Sequence, residues 1–121
     1  MKINDLYYKG YEGEKEIQFI KGKDDDTEII SIWDGFFNDI LEQITPSEKG
    51  WEGLAYYYHL CIGWYENSPW EIPDIKEALE QLKGLISCDF RFEKSKDALN
   101  SICIFLFNAI EENERVYISE E

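Results

Sequence analysis

Basic residues, histidine and long apolar runs are what this sequence has least of. Lysine and arginine number 12 against 26 aspartates and glutamates, a formal net charge of −14. A chain so charged repels nucleic acid and anionic lipid, because both are polyanions. A nucleic-acid reader sets aromatics among bases; here the aromatics stand among acids. The single histidine, His59, forms His-x-Cys with Cys61, while Cys88 and Cys103 lie far off in sequence. Zinc sites ordinarily show two close ligand pairs, so no metal and no cofactor are expected. A lone histidine on an aromatic helix is more often a hydrogen-bonded packing residue than a catalytic base. The Gly-x-x-x-x-Gly-Lys phosphate loop is absent. Carboxylate pairs are too abundant to single any out. No catalytic residue is therefore assigned, and the protein is read as a binding protein rather than an enzyme.

Other absences bound the compartment. Three cysteines without close spacing exclude an obvious disulfide framework. They sit among apolar neighbours and are expected as buried free thiols in a reducing environment. Residues Met1 to Lys15 are polar, with no apolar run of the kind a secretory signal needs. In the C-terminal half the longest apolar stretch, Ile102 to Phe107, is far shorter than the ~20 residues that cross a bilayer. A cytoplasmic protein with no membrane segment is the expectation.

What is present suffices for one folded domain over residues 1–121. Hydrophobic residues make up 44% and aromatics 16% of the chain, enough to bury a core without disulfides. Apolar residues recur at helical spacing through Ile29, Trp33, Phe36, Phe37, Ile40, Leu41 and Ile44. That predicts a first helix over about 27–44, capped by Asp26 and ended by Thr45-Pro46. A second, aromatic on most sides, is predicted over about 51–66. Asp74 and Glu77 have the spacing of a capping box before a third helix, and a fourth starts near Ser95. Residues 15–21 alternate like a strand, and 115–119 could pair with them. Leu6-Tyr7-Tyr8 fits either a strand or a helical turn. The predicted fold is mainly α with some β (α+β): a compact bundle of about four helices, with a small antiparallel β element formed by N- and C-terminal segments.

The acids are unevenly placed. Segment 24–75 contains one base, Lys49, and carries 11 of the 14 excess negative charges. A surface kept only for solubility usually mixes both signs. Carboxylates spread over a rigid surface can imitate the phosphates of a nucleic acid and occupy a cationic cleft. Asp24, Asp25, Asp26 and Asp34, with Glu52, Tyr56, Glu66 and Glu71, are the candidate contacts for such a partner.

Residues 51–79 read Trp-Glu-Gly-Leu-Ala-Tyr-Tyr-Tyr-His-Leu-Cys-Ile-Gly-Trp-Tyr-Glu-Asn-Ser-Pro-Trp-Glu-Ile-Pro-Asp-Ile-Lys-Glu-Ala-Leu. This stretch resembles a family of bacterial immunity proteins from contact-dependent growth inhibition systems. The Ile-Trp-Asp segment at Trp33 and the final Val-Tyr-Ile-Ser are similar in layout, so the resemblance spans most of the chain. It implies a cytoplasmic protein that neutralises the cognate C-terminal toxin domain of an exported effector, often a nuclease and sometimes one acting on transfer RNA. It also implies a monomer, or a 1:1 heterodimer with the toxin. The shared motif in such families is scaffold, so Trp64, Trp70 and Pro73 are read as packing and turn residues. The alternatives are an acidic nucleic-acid mimic or adaptor that binds other basic proteins, and a small carboxylate-dependent enzyme.

Overall fold

β-Branched and aromatic residues crowd two stretches, Ile-Gln-Phe-Ile at 17–20 and Ile-Ile-Ser-Ile-Trp at 29–33. Such side chains suit a pleated surface better than a helix, where their χ1 freedom is lost. In the computed structural model, which describes residues 1–121, both stretches are strands. The elements run β1 (Lys2–Tyr7), β2 (Glu16–Lys21), β3 (Glu28–Trp33), α1 (Asp34–Leu41), α2 (Leu54–Leu60), β4 (Trp70–Glu71), α3 (Ile75–Lys83), α4 (Glu93–Glu111) and β5 (Val116–Glu120). The five strands form one mixed sheet in the order β1-β3-β2-β5-β4. β1 runs parallel to β3, and every other pairing is antiparallel.

Register assigns the faces. Phe19 stands opposite both Ile30 and Ile118, and Ile17 opposite Ile32, so these side chains share one face. All are buried, and Phe19 meets Phe37 of α1 edge-on at 6.0 Å. The helices pack on this side, and one cluster of 27 buried hydrophobic residues joins the layers. The opposite face carries Gln18, Ile20, Ile29 and Tyr117, each half-buried.

The expected bundle of four helices with a minor β element is thus overturned: the protein is an α+β fold built on a five-stranded mixed sheet. The predicted helix 27–44 is strand β3 followed by the eight-residue α1. Its helical spacing is real only from Asp34 onward; before that point Ile30 and Ile32 face the core as alternate residues of a strand. Asp26 caps nothing, for Asp24–Asp26 is a 3-10 turn between β2 and β3. The predicted helix 51–66 shrinks to Leu54–Leu60, because Gly53, Cys61 and Gly63 have φ of 61°, 56° and 68°. Left-handed backbone of that kind does not continue an α-helix. The segment at Leu6-Tyr7-Tyr8 falls at the end of β1.

Other expectations hold. β5 pairs antiparallel with β2. Asp74 caps α3, accepting from the Glu77 N–H at 3.1 Å, and Trp64 is 1% exposed. The thiols divide: Cys103 is buried, Cys88 half-buried, and Cys61, on the left-handed residue that ends α2, is exposed. Burial of all three is therefore corrected. No helix is long and apolar enough to cross a membrane.

Two buried charges tie the layers together. Asp39 on α1 is 4% exposed and accepts from the Arg91 and Phe92 N–H groups, both at 3.0 Å, and from Ser95 Oγ at 2.6 Å. It supplies from another helix the acceptors that the start of α4 lacks locally. Lys21 points inward from β2, donates to Glu112 Oε1 at 2.9 Å and lies over the Phe105 ring at 5.0 Å.

Candidate functional site

The eight candidate residues do not form one surface. Strand β3 sets Asp24, Asp25 and Asp26 at one end of the sheet and Asp34 at the other, about 20 Å apart at roughly 3.3 Å per residue. Glu52 and Tyr56 line a groove between α2 and α3. Glu71, on edge strand β4, is exposed and lies 3.7 Å from Arg115. Glu66 follows the 3-10 turn Gly63–Tyr65, beyond Trp64.

The Asp24–Asp26 turn gathers further carboxylates that are remote in sequence. Asp25, Asp26 and Thr27 join Glu28 of β3 and Glu112 and Glu114, beyond the end of α4, around a cavity of about 310 Å³ with no apolar lining residue. Lys2 is the one base in its wall. The Met1 ammonium donates to the Asp25 carbonyl at 2.7 Å. Lys21 is nearby but committed inward, to Glu112 and, at 4.0 Å, Glu28. Local helix energetics do not account for this cluster. The last turn of α4 holds no base, and Glu111 and Glu112 stand where the helix dipole is negative and favours cations. Lys21 meets Glu112 at 2.9 Å, while Asp25, Asp26, Glu111 and Glu114 form no ion pair.

The Glu52 groove is smaller, about 270 Å³, and adds Asp74 and Glu77 to Glu52 around Trp51, Tyr56 and Tyr57. No base lines it. Gln81 holds its floor, accepting from the Leu54 N–H at 2.9 Å and donating to the Glu52 carbonyl at 2.8 Å. Tyr56 is 42% exposed. Trp51 stacks on His59 with ring centres 3.7 Å apart, which places His59 in packing.

Asp34 belongs to a third group. Asn38 Nδ2 donates to its carboxylate at 3.0 Å, and it faces the phenols of Tyr58 and Tyr65. Burial, then Glu42, Tyr65 and Asp34, holds the Tyr58 phenol well above its ordinary value. Burial, then Asp34 and Glu120, pushes Tyr65 up to about 12. Both phenols stay protonated at neutral pH and remain hydrogen-bond donors.

No group of three His, Cys, Asp or Glu side chains is placed to hold a metal ion. Sequence reasoning missed Glu28, Glu112, Glu114 and Lys2 around the Asp25 cavity, and Asp74 and Glu77 in the groove. The charge map could not find the first set, because Glu112 and Glu114 lie about 85 positions from Asp25 and Asp26, outside the acidic segment 24–75; only the sheet brings them to the Asp24–Asp26 turn. No family model matches the chain, and comparisons with curated proteins and with solved structures returned no match.

Proposed function

We propose that the chain is an immunity-type inhibitor, non-catalytic and cytoplasmic. It binds the cognate toxin domain of a contact-dependent growth inhibition effector, a basic nuclease, as a 1:1 complex and covers its substrate-binding surface. The observation that carries this is the cavity where Asp25, Asp26, Glu28, Glu112 and Glu114 converge with Lys2 as the only lysine or arginine in the wall. A nuclease cleft holds phosphates with lysine and arginine, and carboxylates make charge-assisted hydrogen bonds to the same groups. A clustered negative field also speeds capture of a cationic partner. The resemblance at residues 51–79 supports the same function.

The test is to read the gene next to this chain's own and to express the toxin domain it encodes, alone and with the chain; a neighbour that encodes no such domain would count against the proposal. Protection of the cells, a 1:1 complex on purification and loss of nuclease activity in that complex are expected. Charge reversal of Asp24, Asp25 and Asp26 together should weaken the complex and flatten its salt dependence; reversal of Glu52, Glu66 and Glu71 is the comparison. A folded chain that neither protects nor binds the neighbouring domain would refute the proposal. Tight binding to several unrelated DNA-binding proteins would replace it with a general nucleic-acid mimic.

A further inference from the structure

We propose that an extended segment of the basic partner docks along the seam between β1 and α4, adding a strand to the free edge of β1 and seating its cationic end in the Asp25 cavity. The proposal rests on the inhibitor function above and specifies how the same site takes its partner. β1 is the last strand of the sheet on that side. The Lys2 N–H donates inward to the Thr27 carbonyl at 2.8 Å. Peptide groups alternate sides along a strand, so the Ile3 N–H and C=O and the Asp5 N–H point outward without a strand to meet them. The Asp5 carbonyl already accepts from the Tyr8 and Lys9 N–H groups at 2.9 and 3.0 Å, which bounds the pairing at Asp5.

Three cavities run end to end along this edge. The acidic one shares Lys2 and Glu28 with a cavity of about 570 Å³ walled by Ile3, Asn4, Ile30, Ile104 and Phe105. That cavity in turn shares Ser101 with a third, of about 370 Å³, bounded by Leu6, Tyr7 and Asp97. The result is a channel parallel to a strand, with an acidic mouth, a middle in which Ile30, Ile104 and Phe105 alternate with Lys21, Ser101 and Asn108, and a mixed far end. Apolar side chains stand open on both sides of the edge: Ile104 of α4 is 62% exposed on the helix side, and Ile3, in register with Ile29, is 57% exposed on the other face. Natural edge strands are usually guarded by lysine, proline or a covering element. β1 has no proline and no covering element; its guards are the exposed Lys2 and Asp5 and a register shift between Asn4 and Tyr7, which leave only the short stretch around Ile3 open to pairing. Charge selects the occupant. A second copy of this chain would bring −14 against −14, whereas a segment with alternating apolar residues and two or three lysines or arginines at one end satisfies the edge, the middle and the mouth together. Strand addition is a common mode for extended peptides.

The test uses a displayed library of random twelve-residue peptides selected on the intact protein. Enriched peptides should carry alternating apolar positions with lysine or arginine clustered at one end. Their affinity should fall at least tenfold for Ile3→Pro, which removes an outward N–H and no sheet hydrogen bond, for Ile104→Glu in the middle, and for the double variant Asp25→Lys, Asp26→Lys at the mouth. Ile104 is a surface residue, so its variant keeps the test open if Ile3→Pro fails to fold. Absence of enrichment, patternless peptides, or peptides that bind all three folded variants like wild type would overturn the proposal. So would a homodimer in sedimentation that Ile3→Pro dissolves, since the occupant would then be a second copy. A nuclease partner bound at full strength by Ile3→Pro and Ile104→Glu would leave the inhibitor function standing and remove this mode of docking.

Discussion

Asp39 shows what single residues contribute here. Its carboxylate is buried without a basic partner, and three donors converge on it. Asp39→Ala would leave the Arg91 and Phe92 N–H groups and the Ser95 hydroxyl unsatisfied at the start of α4. A loss of about 3 kcal/mol or more in urea denaturation is expected, with Asp39→Asn costing less because one acceptor remains. A variant unfolding at the wild-type midpoint would mean that water replaces the carboxylate fully. The two shifted phenols make a second prediction. Folding favours their neutral forms, while an unfolded tyrosine ionises near pH 10. The stability they add is therefore complete below about pH 10 and is lost as pH climbs through the folded value, about 12 for Tyr65. Denaturation midpoints should fall across that window, and more gently for Tyr65→Phe. Absorbance titration of the native protein in which all eight tyrosines ionise near pH 10 would contradict this. None of these partners was legible in sequence: Asp39 looked like one acid among many, because its donors lie more than 50 positions away.

At the scale of elements, the turn joining β2 to β3 matters most, because it holds Asp24–Asp26 at the end of the sheet. Gly22 enters it with φ +85°, and a Cβ there would sit 2.5 Å from the Asp26 carbonyl oxygen. Gly22→Ala combines left-handed strain with a clash against backbone that cannot swing aside. A cost of roughly 1–3 kcal/mol is expected, together with weaker binding of the proposed basic partner, since the turn must shift to relieve it. Unchanged stability and affinity would show the turn to be pliable and the acid placement unimportant. The elements also show why periodicity failed at Ile29–Ile44. The strand and helix there are joined without a loop, and their inward residues happen to continue one helical stripe. β-Branched density at Ile29, Ile30 and Ile32 was the signal for a strand. In contrast, α3 and α4 were legible because their apolar stripes and the Asp74 cap agree locally.

For the whole molecule, the net charge of −14 bears on stability and on the proposed binding in opposite directions. Like charges on a compact body repel, and salt screens them. The melting temperature should rise as sodium chloride increases from low to moderate concentration, while the complex with a basic partner should weaken over the same range. The double variant Asp25→Lys, Asp26→Lys should melt no lower than wild type at low salt and still bind its partner less well. Calorimetry beside a binding isotherm checks both, and a variant that loses stability and affinity in proportion would reduce the cavity to a structural element.

Composition-level properties and locally consistent elements could be read directly from the order of residues. These are the acidic balance and its concentration in segment 24–75, helices α3 and α4, the β2–β5 pairing and the burial of Trp64. Each depends on residue counts or on neighbours within a few positions, except the strand pairing, which a short alternating pattern at each end of the chain announced. The five-stranded frame, the separation of the candidate acids by β3 and the meeting of Glu112 and Glu114 with Asp25 and Asp26 emerge in three dimensions alone. Strand order and the meeting of distant carboxylates come from long-range pairing. Burial of one continuous core enforces that pairing, and a local pattern carries no record of which strand will lie beside which.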